Sequence, residues 1–383
     1  MKRRTFTAGL FLIASCVALV VAMTARGQRE QSQTSLVADH AVSGPYMHKN
    51  LTIFLLHDAG QSQSRAPLTL QEAMKRKLVI VRETGDVNRL TIQNKSSQDV
   101  FVQAGDIVKG GQQDRVLALD LIVPPKSGRI PIDAFCVEQG RWSRRGGEAV
   151  TAFSASENGL ASKDLKIAAK ARKSQGDVWA NVSKTQEKLA MNMAVAKSAP
   201  PAPARARHGA GGSVTAGNLR IDGVSMAVPG SVASVTDRAS PSSLQLTLEN
   251  KLVKDTAKDY VKNLSSIING KRDVVGFVFA INGQINSADV YSSNALFAKL
   301  WPKMLEASAI EAIAELKAEE KSRPVDAGAI KAFLRESQSG KAETKSVTAR
   351  TSMVKCETEK NLFFETRDRS RKDKWVHRNY ITK

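Results

Sequence analysis

Val274-Val-Gly-Phe-Val-Phe-Ala-Ile281, Asn282-Gly283 and Gln284–Tyr291 decide the fold class. Two strand-length runs flank Asn-Gly, the dipeptide that accepts positive φ at both centre positions of a type I′ turn. They predict an antiparallel hairpin. Behind it the helical spacing of Asn294–Lys321, stopping before Pro324, predicts a long helix. A hairpin followed by a helix belongs to antiparallel sheet plus helices, not to the strand–helix–strand alternation of a parallel sheet.

Upstream, Leu252, Tyr260, Leu264 and Ile267 predict a helix near Leu248–Ile268. Residues 198–243, rich in Ala, Pro, Gly and Ser, read as a disordered insertion. Helical spacing precedes them, from Ser156 to Met193. Further back lies a β-meander: Leu78–Val81, Val87–Ile92, Val100–Val102, Val116–Val123 and Ile130–Val137, punctuated by Gly85-Asp86, Asn94–Ser97 and Pro124-Pro125. Leu51–Leu56 is another strand, and Thr69-Leu-Gln-Glu72 has capping-box spacing for a short helix up to Lys77. Downstream, 347–356, 362–366 and 375–381 alternate as strands. The expected fold is α+β. It consists of an antiparallel β-sandwich-like sheet with packed helices, a late β-hairpin followed by a long helix, and an N-terminal signal or anchor helix. The expected organisation is that segment at 1–28, a polar tether at 29–47, a domain at 48–337 interrupted at 198–243, and a β-rich basic extension at 345–383.

The segment 1–28 sets the expected localisation. Lys2-Arg3-Arg4 precede an uncharged run from Ala8 to Met23, the layout of a signal peptide or membrane anchor. Ile13-Ala-Ser-Cys16 also fits lipid attachment at Cys16. Either way the chain is expected to be exported across an inner membrane, periplasmic or held at its surface. Net charge is +20, most of it outside that segment, which favours an anionic small molecule or a membrane surface. Dense basic runs interleaved with aromatics are missing apart from the tail, so no nucleic acid is expected. The five histidines, at 40, 48, 57, 208 and 377, form no HxH or HxxxH pair, so neither metal nor cofactor is expected. Beyond Cys16 there remain Cys136 and Cys356, which could pair or stay as thiols.

Gly105-Asp-Ile-Val-Lys-Gly-Gly-Gln-Gln-Asp-Arg115 is the densest polar stretch. Gly110 and Gly111 permit positive φ, so the amides of Gly110, Gly111, Gln112 and Gln113 could form an anion-binding nest, with Arg115 beside it. The same residues also suit a β-turn with an ion pair at its foot. No Gly-Lys-Ser/Thr follows, which excludes a Walker loop. In Cys136-Val-Glu-Gln-Gly-Arg-Trp142, Arg141 and Trp142 offer a guanidinium and a flat ring, suited to a phosphate and a base or sugar face. A cation–π pair covering a sheet edge is the plainer alternative. Asp106, Asp114 and Glu138 are the candidate catalytic acids or bases. A Cys136 nucleophile would need His377 as base and Glu138 as orienter.

Together Leu78–Gly85, Gly105-Asp106, Gly110–Arg115, Val123-Pro-Pro, Cys136–Trp142, Gln175–Trp179, Val275–Gly283, Ser287-Ala-Asp289 and Leu296–Lys303 resemble, in order, the ARPP domain family. That family is associated with ADP-ribosylglycohydrolases and the rhodanese-phosphatase superfamily. The resemblance covers roughly residues 48–315, and 364–378 looks like a terminal extension seen in similar chains. It implies a tie to NAD and ADP-ribose metabolism without fixing a reaction. Two functions follow as expectations. One is a domain that binds, or hydrolyses, an anionic small molecule such as a nucleotide-sugar or ADP-ribose-like ligand. The other is a non-enzymatic envelope scaffold with a basic surface.

Overall fold

The Asn282-Gly283 turn takes φ of +50° and +70°, the positive values that type I′ demands, and joins β14 (Val274–Ile281) to β15 (Gln284–Tyr291). This hairpin is the middle of an eight-stranded, wholly antiparallel sheet. On one side lie β2 (Leu51–His57) and then β1 (Ala41–His48). On the other follow β19 (Lys374–Thr382), β18 (Asn361–Asp368), β17 (Thr351–Glu357) and β16 (Lys341–Ser346). The computed structural model describes residues 40–62, 65–149, 151–198, 220–221, 224–225, 234–317 and 325–383.

Both faces of this sheet are buried at β14, which is why that strand is apolar throughout and shows no alternation. Phe277, Phe279 and Ile281 join the core made with α5 (Lys251–Leu264) and α6 (Asn294–Ala314). Val275, Val278 and Val290 pack on the other side with Ile330 and Phe333 of α7 (Ala327–Ser337).

A second, six-stranded antiparallel sheet runs β11 (Phe153–Leu160), β7 (Asp106–Gly110), β8 (Arg115–Leu117), β10 (Ile130–Cys136), β5 (Arg89–Asn94) and β4 (Val79–Glu83). Val81, Ile92 and Leu117 from it share a core with Val102 and Val123 of a small sheet: β3 (Leu68–Thr69), β6 (Val100–Val102) and β9 (Leu121–Val123). Beside that core lies α1 (Leu70–Lys75), opened by the expected capping box: Thr69 Oγ1 accepts from Glu72 N at 3.2 Å, and Glu72 Oε2 from Thr69 N at 2.8 Å. The chain then forms α2 (Lys163–Lys166), a π-helical turn at Ile167–Arg172, α3 (Gln175–Ser198), the short pair β12 (Arg220–Ile221) and β13 (Val224–Ser225), and α4 (Leu244–Glu249). The fold is α+β with mostly antiparallel sheets and seven α-helices among the described residues.

Several boundaries differ from expectation for physical reasons. Residues 41–47, assigned to the tether, form β1; an exposed edge strand needs no apolar alternation. The run 116–123 is two strands in two sheets, divided at Asp120. Strands β7 and β11 were not expected, because Asp106 and Lys109 in the first and the largely polar run Ser154–Asn158 in the second break any apolar period. The helix near 248–268 breaks at Asn250, whose side chain caps α5 by accepting from Leu252 N at 2.9 Å. The long helix ends at Ala314 instead of Lys321, and it keeps Pro302 inside. Within 198–243, Ser198 ends α3, and 234–243 are described with Val235 and Ser243 buried; apart from β12 and β13, the stretch 199–233 lies outside the described residues. The extension 345–383 is not separate, since β19 pairs with β15. The signal or anchor segment and Cys16 lie outside the described residues, as does His208. Among those described, no helix is long and apolar enough to cross a membrane.

Candidate functional site

The Gly110-Gly111 turn does bring backbone amides together, and two of the chain's own carboxylates and one carbonyl occupy them. Gly110 (φ +115°) donates to Asp114 Oδ1 at 2.9 Å, and Gln112 donates to Glu83 Oε1 at 3.0 Å. Gly111 (φ +57°) donates to Ala149 O at 3.1 Å, and a Cβ there would meet Glu83 Oε1 at 2.5 Å.

Around this turn the sequence-predicted residues converge into an arginine–carboxylate knot. Arg141 grips Glu138 with Nε and Nη2, each at 2.7 Å, and reaches Gly111 O at 3.1 Å. Arg145 adds a second fork, with Nη1 and Nη2 each 3.0 Å from an Asp114 oxygen and Nη1 3.2 Å from Glu138. Ser243 Oγ donates to Asp114 at 2.8 Å. Burial pushes the Glu138 carboxyl up, but hydrogen bonds from Arg141, Ser240 and the Asp114 amide outweigh it and hold the group below its ordinary range. Arg115 is buried, 3.7 Å from Glu83, and its Nη1 donates to Gln113 O at 3.0 Å. Trp142 stands apart, 55% exposed. Asp114, Glu138 and Arg141 therefore meet, joined by Arg145, while Arg115 turns to Glu83 and Gln113 and keeps its Nε without a hydrogen bond.

Asp106 is not in the knot. It sits at the far end of β7, paired with Lys303 of α6 and accepting from Gln103 N at 3.0 Å. Cys136 and His377 are not brought together either. Burial pushes the Cys136 thiol up to about 11, and its nearest charged influences are Arg115 and Glu83. His377 is committed elsewhere. Cys136 and Cys356 are both buried free thiols, so no disulfide forms.

His377 is the hub of a second buried polar centre. Its Nδ1 lies 3.0 Å from Asp120 Oδ2 and its Nε2 2.9 Å from Asp289 Oδ1, and its ring stacks on Tyr291 at 4.5 Å. Thr366 and the Ala104 amide bond Asp120, each at 2.6 Å, and Asn379 bonds Asp289 at 2.9 Å. Burial alone would lower the His377 pKa; the two carboxylates raise it instead. Burial likewise opposes ionisation of Asp120 and Asp289, but Lys170 and His377 hold the first below its ordinary range, and Lys166 and His377 the second. Lys170 stands 3.7 Å from Asp120 and 4.3 Å over the Phe364 ring. Burial depresses its pKa. Little in the order of residues signals this centre. Its members come from the 118–120 loop, β15, the π-turn and β19, and nothing local links them.

The π-turn that aims Lys166 and Lys170 inward also lines an open recess. Ile167, Ala171 and Leu362 meet Arg172, Lys184, Lys355 and Lys383, with Asp164 and Glu357, around ≈ 480 Å³. Glu357 is already held by Lys355 and Lys383, each at 2.7 Å. A second hollow of ≈ 380 Å³ shares Asp164 and is lined by Glu311. Burial raises the Glu311 carboxyl, against bonds from Asn286 and the Lys163 amide. No group of three or more His, Cys, Asp or Glu suited to a metal is found among the described residues.

A family model, the ARG and Rhodanese-Phosphatase-superfamily-associated Protein domain, ARPP-1, matches residues 39–381. No curated protein and no solved structure was found to match.

Proposed function

We propose that this chain, which belongs to the ARPP-1 family, binds an anionic small molecule of the nucleotide-sugar or ADP-ribose-like class. We place the ligand in the recess beside the π-turn. The observation that carries this reading is the lining of that ≈ 480 Å³ space: apolar Ile167, Ala171 and Leu362 beside the cations Arg172, Lys184, Lys355 and Lys383, against the carboxylates Asp164 and Glu357. Recesses of several hundred Å³ with few polar groups suit drug-sized ligands, and the lining's excess of cations suits phosphate. The arginine–carboxylate knot is the weaker seat, because Arg141 and Arg145 are already forked onto Glu138 and Asp114. Burial raises the Glu311 carboxyl, but that side chain lines the second hollow and not this recess, so the proposal is one of binding. Export to an envelope compartment, drawn from residues 1–28, belongs to the same proposal.

Thermal-shift titration of the full chain with ADP-ribose, NAD and sugar phosphates tests it. A ligand at a hundred times its Kd adds about 2.7 kcal/mol, a rise of several degrees. Lys184→Glu should weaken the response about tenfold or more in apparent Kd while leaving the unliganded melting temperature in place. No shift with any of these compounds at millimolar concentration would favour the scaffold function.

A further inference from the structure

We propose that Ser43, His57 and Asp273 form a nucleophile–base–orienter chain that hydrolyses acyl substrates at the free edge of the eight-stranded sheet. Ser43 Oγ lies 2.7 Å from His57 Nε2, and His57 Nδ1 lies 3.0 Å from Asp273 Oδ2. Each ring nitrogen thus has its own partner, in the order that acyl transfer needs. A proton on Nδ1 points at the carboxylate, leaving Nε2 free to accept from the serine.

Three neighbouring strands set this geometry. Ala41 is opposite His57, so Ser43 is its diagonal neighbour on β1, and Val274, next to Asp273, is opposite His57 on the other flank. The Asp58 amide bonds Asp273 O at 2.8 Å and fixes the orienter's backbone. Directly after Ser43 the β1–β2 register slips by one residue, with Gly44 at φ +116°. Bulges of this kind re-aim side chains at sheet edges. The bulge needs glycine, since a Cβ on Gly44 would meet Ile53 O at 2.9 Å. Tyr46 Oη, 3.4 Å from Ser43 Oγ, supplies a second hydroxyl that can face a developing oxyanion.

The His57 and Asp273 side chains are 16% and 52% exposed, so reagents reach them. No strand covers the outer edge of β1 among the described residues, leaving room for an extended acyl chain to lie along it. The substrate class is an ester or amide carbonyl. Ser43 Oγ bonds the carbonyl carbon while its proton moves to His57 Nε2. The tetrahedral species collapses with cleavage of the C–O or C–N bond, and the departing alcohol or amine takes that proton. Water then attacks the acyl-Ser43 ester, giving a proton to Nε2; the acid leaves, and Ser43 Oγ recovers the proton.

A fluorophosphonate probe on the full chain, read by intact mass and peptide mapping, tests this. The expected result is one adduct on Ser43, none in Ser43→Ala, and labelling slowed about 100-fold or more in His57→Gln. Asp273→Asn, at a half-exposed side chain, should slow labelling about tenfold, less than a buried orienter would. Melting temperatures of all variants are measured alongside, and if His57→Gln fails to fold, Asp273→Asn decides. No adduct at Ser43 where trypsin labels fully, or labelling at an unchanged rate in a folded His57→Gln or in Asp273→Asn, would overturn the proposal.

Discussion

Arg145 ion-pairs with Asp114, Glu138 and Glu148 at once. Truncating it leaves the first two carboxylates buried with only part of their compensation, so Arg145→Ala should cost about 3–5 kcal/mol, read as a lowered urea midpoint with an unchanged slope. Arg145→Lys should recover little, because a single ammonium cannot bridge both oxygens of Asp114 and still reach Glu138. At this scale the sequence was informative about conformation and silent about partners. The positive φ at Gly110 and Gly111 was legible from residue type. That Glu83 fills the nest was not, because it arrives from β4, well separated along the chain. Ser43, His57 and Asp273 were invisible for the same reason: their chain of bonds exists only across strands.

Thr69 caps α1 through a reciprocal pair of bonds with Glu72. Thr69→Ala removes one of them and should lower stability by about 1 kcal/mol, seen as a loss of a few degrees in melting temperature. Capping box and hairpin were both legible because their physics is local: four residues define the first, and Asn-Gly the turn of the second. Strands whose partners carry the pattern were not. All of β16 is exposed, and β1 mixes exposed and half-buried positions, so neither shows the period-two apolar signal. The π-turn at Ile167–Arg172 was equally hidden, since its sequence reads as ordinary helix.

Across the whole molecule, the Asp120–His377–Asp289 centre ties the six-stranded sheet's connections to the eight-stranded sheet, and it makes stability depend on pH. Both carboxylates ionise below their ordinary range in the fold. Their stabilisation is complete above the unfolded carboxylate value of about 3.9 and is lost as pH falls toward the lower folded values. His377 has the opposite sign: its raised pKa stabilises below about 6.5 and is lost as pH climbs through the folded value. Melting temperature should therefore hold near pH 5–6 and fall below about pH 4. Asp289→Asn should flatten part of that acid fall and lower the plateau. The α+β class and the family were legible from the order of motifs, whereas the union of the tail with the main sheet depended on pairing that no local pattern encodes.

The place of β19 in the sheet has a consequence in time. Its neighbours are β15 and β18, so on a growing chain the hairpin's flank stays bare until Lys374–Thr382 has left the ribosome. His377 travels on that same strand. Until then Asp120 and Asp289 lack the imidazole that bridges them and keep only Lys170 and Lys166 as cationic neighbours. Assembly waits for contacts between segments hundreds of positions apart, the kind that form slowly. A nascent chain stalled short of that strand should remain open to protease, and the molecule should close in one late step rather than piece by piece as it is made.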